Sequence, residues 1–394
     1  MNLRTKLKKV LILTIVFCMI LPCFIYADVE NVSEKIKGAL LGDLDSGTIL
    51  YEYNIDKPLA LASITKLMTY TILMDNIKEG KLKLDDEMTI SHNAANTVGS
   101  VFGMVEGEKI KVSKMIEALL IVSGNDVATA IAENVSGSVE SFVFQMNEKA
   151  KELGLTSAIF INPNGLPEDN VTPDQNYMSV RDLYTFVQYV LKTYPEILET
   201  TKKPELNLPE RNFSKSSTNP LFGIVDGVDG LKTGYTDEAG ICLVSTLPVG
   251  KQGEGTEDYR IISIVMGAQT HPERIEKSQA LLDYGRNNFI NQKLSVKDTP
   301  VDKIYIKNAK ITDVDVYTIE DYNKLIKNGE TIKSEIVYNE EIKAPIEKGT
   351  KIGQIKYSIN DEVIKTMDIV VRDDVEKANI FVRIFRFFKG LFNK

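Results

Sequence analysis

The sequence contains little histidine and little cysteine, and both shortages narrow the chemistry that the protein can perform. Of its 394 residues, two are His and three are Cys. His92 and His271 alone leave little from which to build a Ser-His-Asp triad or a His-rich zinc site, and we expect both at the surface. We therefore predict no metal ion and no cofactor, and a nucleophile would need a base other than histidine.

The positions of the cysteines exclude an intrachain disulfide once an N-terminal segment is removed. Cys18 and Cys23 fall in a predicted signal peptide, so the mature chain would keep Cys242 alone. Cys242 lies in an apolar, strand-like run at 241–244. This pattern is typical of a buried structural cysteine rather than of a catalytic thiol.

Basic residues are outnumbered by acidic ones, which argues against nucleic acid as a partner. The chain has 47 Lys and Arg against 55 Asp and Glu, a formal net charge of -8. Binding to phosphates requires clustered positive charge. The rest of the composition is that of an ordinary globular protein, long enough for two or three domains.

Both ends of the chain nevertheless combine positive charge with apolar residues. Four Lys and Arg residues between positions 4 and 9 precede an apolar run at 10–21 that is too short to span a bilayer comfortably, and Ala27 ends the segment. We interpret residues 1–27 as a cleaved signal peptide and expect an exported protein. An uncleaved N-terminal anchor is the alternative.

At the other end, residues 374–394 are predicted to form an amphipathic helix. Large apolar side chains between positions 380 and 392 gather on one side of a helical wheel, with Arg383, Arg386 and Lys389 on the other. This arrangement is typical of a helix that lies in the membrane interface, here at the outer face of the cytoplasmic membrane. The alternative is a helix that docks on its own domain or on a partner.

Between these ends, the hydrophobic pattern predicts an α+β domain over residues 28–291. Two β-rich runs at 39–44 and 48–51 flank a turn-forming Asp-Ser-Gly group, and further strands are predicted between 227 and 266. Helices are predicted at 61–78, 114–122, 126–135, 139–153 and 272–288. Strands at both ends of the segment predict one antiparallel sheet, against which the helical cluster packs.

A second domain, small and all-β, is predicted at residues 294–372. Short alternating runs of polar and apolar residues recur there with polar turns between them. The segment contains no His, no Cys and no recognisable catalytic constellation. We therefore interpret it as a spacer or a binding module.

The sequence Ser63-Ile64-Thr65-Lys66 is the only Ser-x-x-Lys in the chain. Where histidine is scarce, lysine is the standard alternative base for a serine nucleophile. The motif is predicted to lie at the start of a helix, where residues three apart share a face. The N–H groups and the dipole of the helix N-terminus also favour an oxyanion.

Two further motifs follow in the chain. Ser123-Gly124-Asn125 lies between two predicted helices, from which its polar side chains can point into a cleft. Lys232-Thr233-Gly234 occurs once, in a predicted strand, where a charge and a hydroxyl can bind a carboxylate and the glycine leaves room for a ligand's backbone. In this order the three motifs match the set of the penicillin-recognising serine enzymes.

In these motifs the chain resembles the D-alanyl-D-alanine carboxypeptidases among the low-molecular-weight penicillin-binding proteins, which carry a C-terminal β domain and an amphipathic anchor. The resemblance also rests on residues 162–166 and 267–270. It implies a penicillin-binding-protein/β-lactamase-like transpeptidase fold. It also implies removal of the terminal D-alanine from peptidoglycan stem pentapeptides, and covalent inhibition by β-lactams.

Carried over to this chain, the resemblance implies four catalytic residues. Ser63 would be the nucleophile and Lys66 the base that takes its proton, which requires Lys66 to be neutral part of the time; burial and the nearby charge of Lys232 would favour this. Ser123 would relay a proton to the departing D-alanine nitrogen. Asn125 would hold the amide of the substrate.

The substrate-binding residues implied in the same way are Lys232, Thr233, Gly234 and Tyr235. Lys232 and Thr233 would bind the terminal carboxylate, and the backbone N–H of Tyr235 would form the oxyanion hole with that of Ser63. The chain departs from the family in two places: Asn164 stands where His is frequent, and 217–220 lacks the Arg that often assists carboxylate binding.

Two other functions are compatible with the same motifs. A β-lactamase shares all three but must deacylate quickly, whereas a wall-associated binding protein on a decayed enzyme fold would not be acylated. The lifetime of a penicilloyl adduct distinguishes these possibilities from a carboxypeptidase.

Overall fold

The computed structural model of the chain describes residue 29 and residues 31–168 and 174–392. The signal peptide predicted at 1–27 therefore lies outside the described residues. The strands of the first domain are β1 (Gly38–Asp43), β2 (Ile49–Tyr53), β3 (Pro58–Ala60), β4 (Glu87–Thr89), β5 (Lys109–Lys111), β6 (Tyr177–Ser179), β7 (Glu205–Leu208), β8 (Phe213–Ser216), β9 (Gly230–Thr236), β10 (Gly240–Val249), β11 (Thr256–Glu257) and β12 (Tyr259–Ala268).

Its helices contain most of the predicted helical segments and three that the sequence analysis did not include, at His92–Ala95, Val180–Thr193 and Ile197–Thr201. They are α1 (Lys66–Lys78), α2 (His92–Ala95), α3 (Val112–Ile121), α4 (Asn125–Ser136), α5 (Val139–Glu152), α6 (Val180–Thr193), α7 (Ile197–Thr201) and α8 (His271–Asn288). Short 3₁₀ helices lie at Ala62–Thr65 and Pro209–Arg211. The N-terminus of α6 is capped by Ser179, whose side chain accepts a hydrogen bond from the backbone N–H of Asp182.

A five-stranded antiparallel sheet forms the centre of this domain, in the order β2-β1-β12-β10-β9. The hairpin β1–β2 comes from the start of the segment and pairs through β1 with β12, which comes from its end. The prediction of one sheet assembled from both ends is therefore confirmed. Strand β9, which carries Lys232, Thr233 and Gly234, lies at the edge of the sheet, with β10 as its neighbour.

The sheet is buried on both faces, because helices cover each of them. Along β12, Ile262 and Ile264 belong to the large core beneath the helical cluster, whereas Ile261 and Val265 belong to a second core. The second core includes Leu281 of α8. This alternation follows from the two-residue period of a strand, which sends successive side chains to opposite faces.

A second sheet of five strands forms the β domain, which confirms the β-rich character expected from its sequence. Its strands, with those that link it to the first domain, are β13 (Phe289–Ser295), β14 (Pro300–Tyr305), β15 (Asp313–Thr318), β16 (Tyr322–Lys327), β17 (Ile332–Tyr338), β18 (Lys351–Ile359) and β19 (Glu362–Val371). The order in the sheet is β14-β15-β19-β18-β17, and its core includes Val316, Ile355 and Ile369.

The two domains share a small sheet. Strand β13 crosses the predicted boundary at 291–294 and pairs with β11 of the first domain on one side and with β16 on the other. The two domains are therefore connected by a hydrogen-bonded strand and not by a loop.

The last helix, α9 (Ile380–Phe392), follows the β domain. Arg386 on this helix donates hydrogen bonds to the carbonyl oxygens of Ala309 and Lys310, at 2.7 and 3.0 Å. Arg386 therefore attaches the helix to its own domain, and the contact of its apolar side with a membrane stays a prediction. Within the described residues, no helix combines the length and the apolarity needed to cross a bilayer.

Candidate active site

The Ser63 hydroxyl lies in a tight turn between β3 and α1. Residues Ala62–Thr65 form the 3₁₀ helix, and Ala62 has a positive φ of 46°. Lys66 is the first residue of α1, and its Nζ lies 2.9 Å from Ser63 Oγ. The expected pairing of residues three apart at a helix start is thus present, with a 3₁₀ turn where an α-helical turn was predicted.

Lys66 is completely buried and has three polar partners. Besides Ser63 Oγ, its Nζ contacts Asn125 Oδ1 at 2.7 Å and the carbonyl oxygen of Asn164 at 2.6 Å. A neutral amine has two N–H donors and one lone pair. It therefore fits these partners: two donors for the two carbonyl oxygens, and the lone pair for the proton of Ser63.

The electrostatics of Lys66 favour this neutral form. Burial lowers the pKa of Lys66 well below its usual value, and the positive charge of Lys232 lowers it further, while Asp126 opposes the shift. A proton acceptor near Ser63 Oγ is what a serine nucleophile needs.

The Ser-x-Asn segment forms the wall of the site facing Lys66. The Asn125 amide is fixed in orientation, since Nδ2 donates to the carbonyl of Val98 at 2.8 Å while Oδ1 accepts from Lys66. Asp126, the next residue, accepts hydrogen bonds from the backbone N–H groups of Phe102 and Gly103. The sequence analysis did not include Asp126, whose role is to hold this wall in place.

Ser123 and Lys232 form a second polar pair in the site. Lys232 Nζ donates to Ser123 Oγ at 2.9 Å and to the carbonyl of Thr233 at 3.0 Å. Ser123 has a positive φ of 63°, a strained conformation for a non-glycine residue. Burial lowers the pKa of Lys232 to about 7, with a further contribution from the charge of Arg274. Near neutral pH, Lys232 can therefore give or take a proton through Ser123.

Strand β9 lies directly against the turn that carries the nucleophile. A Cβ on Gly234 would lie 2.9 Å from the carbonyl oxygen of Leu61 and 3.3 Å from the N of Ser63. The glycine is thus required by the chain's own packing, a reason that the sequence analysis did not give. Beside it, Thr233 donates to Thr218 Oγ1 at 2.8 Å, and the Tyr235 side chain is 59% exposed.

Arg274 is a basic residue at the site that the sequence analysis missed. It lies near the start of α8, is only 7% exposed, and acts electrostatically on Lys232. Among the described residues, Arg274 has no carboxylate in an ion pair, and its Nε has no hydrogen-bond partner. Arg274 is therefore a candidate for the basic residue that 217–220 lacks. A cation near a helix N-terminus opposes the helix dipole, which is the sequence signal that could have indicated it.

The remaining candidates in the sequence lie away from this chemistry. Cys242 is fully buried on β10, where its sulfur accepts from the Gly267 N–H and burial raises its pKa to about 11. Its prediction as a structural cysteine is confirmed. His92 and His271 are exposed, as expected. In the described part of the chain, no group of three or more His, Cys, Asp or Glu side chains is arranged to hold a metal ion.

Comparison with known families decides the identity of this fold and site. Residues 27–270 match the family model described as D-alanyl-D-alanine carboxypeptidase. The chain belongs to the D-alanyl-D-alanine carboxypeptidase family. Residues 289–377 match the family model described as the C-terminal domain of penicillin-binding protein 5. The protein is therefore a serine-type carboxypeptidase of the low-molecular-weight penicillin-binding proteins, as the sequence motifs predicted.

Individual relatives of this carboxypeptidase family agree in sequence and in fold. The chain is 34% identical over 363 residues to D-alanyl-D-alanine carboxypeptidase DacF of Bacillus subtilis, covering 91% of this chain and 90% of that protein. The structure of D-alanyl-D-alanine carboxypeptidase DacD from Francisella tularensis has a TM-score of 0.69 at 27% identity, covering 90% of this chain and 97% of that one. The predicted penicillin-binding-protein fold is thus confirmed.

A third relative has been solved with a β-lactam. Penicillin-binding protein D2 from Listeria monocytogenes, in its cefotaxime-bound form, has a TM-score of 0.56 at 31% identity. The match covers 64% of this chain and 96% of that one.

Proposed function

We propose that this protein removes the terminal D-alanine from peptidoglycan stem pentapeptides through an acyl-enzyme on Ser63. The observation that carries the proposal is the buried amine of Lys66, which lies 2.9 Å from Ser63 Oγ and has a lowered pKa. A lowered pKa makes this amine a better acceptor of the serine proton than an ordinary lysine, which is fully protonated near neutral pH.

In the first half of the reaction, Ser63 Oγ bonds to the carbonyl carbon of the penultimate D-alanine as its proton passes to Lys66. The backbone N–H groups of Ser63 and Tyr235 stabilise the oxyanion. The peptide C–N bond then breaks, and Ser123 gives its hydroxyl proton to the departing nitrogen. Lys232, whose Nζ lies 2.9 Å from Ser123 Oγ, replaces that proton.

In the second half, a water molecule attacks the acyl-enzyme. Its proton passes through Ser123 to Lys232, which the first half left neutral. Protonated Lys66 returns its proton to Ser63 Oγ as the ester C–O bond breaks. Both lysines thus finish in the states in which they began, and the two half-reactions together consume one water molecule.

The terminal carboxylate of the substrate would lie between Lys232, Thr233 and Arg274. Lys232 and Arg274 are both buried, neither has an acidic ion-pair partner in the described residues, and the charge of Arg274 acts on Lys232. Burying like charges is unfavourable, and a bound carboxylate offsets that cost. Asn125 would hold the peptide amide that precedes the scissile bond.

β-Lactams would acylate Ser63 by the same first half-reaction. The ring-opened leaving group would remain attached through the ring carbons, where it hinders the approach of water. We infer slow deacylation, and therefore stable penicillin labelling. A β-lactamase would instead need fast hydrolysis of the acyl-enzyme.

We place the mature protein at the outer face of the cytoplasmic membrane. The export signal proposed at residues 1–27 would deliver the chain there, and α9 would hold it at the lipid surface without crossing it. Peptidoglycan stem peptides are available on that side.

The test is to follow labelling of the mature chain by a fluorescent penicillin beside Ser63→Ala, and to measure D-alanine release from a pentapeptide. We expect a label that lasts for hours, is absent from the variant, and accompanies D-alanine release. A label that forms and disappears within seconds would instead indicate a β-lactamase. Complete absence of labelling would indicate a wall-associated binding protein.

A further inference from the structure

The outward side of α9 exposes large apolar side chains. Phe381 and Phe385, one turn apart, are 79% and 69% exposed, and Ile380 and Ile384 beside them are about half exposed. Side chains of this size seldom lie together in contact with water without a partner. Something outside the described residues must cover this surface.

The opposite side of α9 is tied to the β domain. Arg386 donates two hydrogen bonds to the carbonyls of Ala309 and Lys310. The chain just before the helix continues this attachment, since Ala378 donates its backbone N–H to Asn308 and Lys310 donates its own to Glu376. Arg386, which the helical wheel places opposite the large apolar side chains, therefore fixes the helix on the domain, and the apolar side faces outward.

The β domain adds an aromatic residue to the edge of this apolar surface. Tyr305, at the end of β14, is 67% exposed and lines one pocket with Ile380 and Ile384. A tyrosine suits the boundary between lipid and water, because its ring is apolar and its hydroxyl is polar. Tyr305 thus extends the outward surface from the helix onto the domain.

We propose that Tyr305, Ile380, Phe381, Ile384 and Phe385 form one membrane-docking face, held together by Arg386 on the carbonyls of Ala309 and Lys310. The β domain then lies against the lipid surface in one fixed orientation, and α9 is not a flexible tether. This inference rests on the membrane association proposed above and adds a part of the β domain to it.

Charge identifies an anionic lipid surface as the occupant of this face. Residues 377–394 contain five Lys and Arg and no Asp or Glu, although the whole chain carries a net charge of -8. Basic residues beside a large apolar surface favour anionic headgroups and a partly inserted helix. A second copy that docked through this same face would bring its own five Lys and Arg against these, and like charges repel.

The experiment measures co-sedimentation of the mature chain, from residue 28 to its end, with vesicles of zwitterionic and anionic lipid. Tyr305→Asp should weaken vesicle binding by about tenfold, because it places a charge in the docking face. The matched control is Val363→Asp, an exposed apolar residue (55%) at the start of β19, whose other end leads to α9. The control should bind as the wild type does.

A double variant tests whether Arg386 holds α9 on the β domain. In the Arg386→Ala background, Tyr305→Asp should no longer change vesicle binding, since the domain would not be held beside the helix. Equal effects of Tyr305→Asp in both backgrounds would overturn the role of Arg386. Unchanged melting temperatures and penicillin labelling establish that each variant is folded.

The outcomes separate this inference from the membrane association on which it rests. If the wild type binds vesicles and Tyr305→Asp binds equally well, the shared face is wrong and the association stands. If the wild type does not bind vesicles, both are wrong. If the wild type dimerises without lipid and Tyr305→Asp makes it monomeric, a second copy covers the face and the inference is overturned.

Discussion

The catalytic cleft and the β domain differ in how their lysines are buried and paired. In the cleft, Lys66 and Lys232 are almost inaccessible to solvent and contact hydroxyls and carbonyls but no carboxylate. In the β domain, Lys333 is largely exposed and Lys365 is partly exposed, and each pairs with an acid. In the described residues, the two lysines of the cleft are therefore buried without a carboxylate partner, whereas the two of the β domain have one.

This difference has consequences for proton transfer and for stability. A buried ammonium without a counter-ion loses hydration, which lowers its pKa and makes it a usable base. An exposed pair keeps its hydration, so it contributes little to stability and cannot act as a base near neutral pH. The following predictions test this contrast, from the largest expected effect to the smallest.

Replacing the buried base should cause the largest loss. Lys66→Ala is expected to slow acylation by fluorescent penicillin at least about a thousandfold, because it removes the group that we propose as the acceptor of the Ser63 proton. Lys365→Ala is the control from the β domain and should be acylated at the wild-type rate. A normal acylation rate in Lys66→Ala, with the protein folded, would show that another group is the base.

Removal of Arg274 should weaken recognition of the substrate carboxylate. Arg274→Ala is expected to lower kcat/KM for a peptide with a free C-terminus roughly 10- to 100-fold, mainly through KM, as loss of a charge-assisted hydrogen bond does. On a peptide with an amidated C-terminus, the variant and the wild type should be equal.

The matched control for Arg274 is Arg286→Ala, which removes a cation from the other end of α8. It should leave both substrates unaffected. If Arg274→Ala lowers kcat/KM equally for the amidated peptide, Arg274 supports the packing of the site and does not bind the substrate carboxylate.

The buried charge of Lys232 should reduce stability in a pH-dependent way. Its pKa is about 7 in the folded protein, below its ordinary value of 10.5, so the unfolded chain binds more protons between those two values. Wild-type stability should therefore rise with pH across this window. Lys232→Met should be more stable than the wild type by roughly 1–4 kcal/mol at pH 6, and this gain should shrink as the pH rises from 7 toward 10.

Denaturant unfolding at several pH values checks this expectation, with Lys365→Met as the exposed counterpart. If the extra stability of Lys232→Met is the same at pH 6 and at pH 10, it comes from better packing and not from removal of a buried charge.

The smallest effect is expected in the β domain. Lys365 pairs with Glu320 at 2.8 Å, but both side chains are more than a third exposed. Lys365→Ala should change the free energy of unfolding by no more than about 0.5 kcal/mol, since exposed ion pairs are screened by solvent. If denaturant titrations show that Lys365→Ala lowers the free energy of unfolding by several times this amount, the exposed pair is not weak and the contrast with the buried lysines of the cleft fails.

Several parts of the fold and of the site were predictable because they depend on neighbours in the chain. The pairing of Ser63 with Lys66 is a three-residue spacing at a helix start, and the hairpin β1–β2 surrounds its own turn residues. Helices α3, α4 and α5 follow from apolar periodicity, which local sequence displays directly. The order of the three motifs then identified the family.

Other features depend on residues that only the folded chain brings together. The carbonyl of Asn164, which accepts a hydrogen bond from Lys66, lies 98 positions from it in the chain. The carbonyl of Ala309, which accepts a hydrogen bond from Arg386, lies 77 positions from it. Arg274 acts on Lys232 because α8 packs on the central sheet, a long-range contact that the sequence pattern does not show. Sequence alone indicated the motif residues, among them Ser63 and Lys66, as candidates for the chemistry, but it did not indicate Arg274. The tertiary structure decided their pKa values and the direction in which α9 faces, because burial and long-range contacts exist only after the chain has packed.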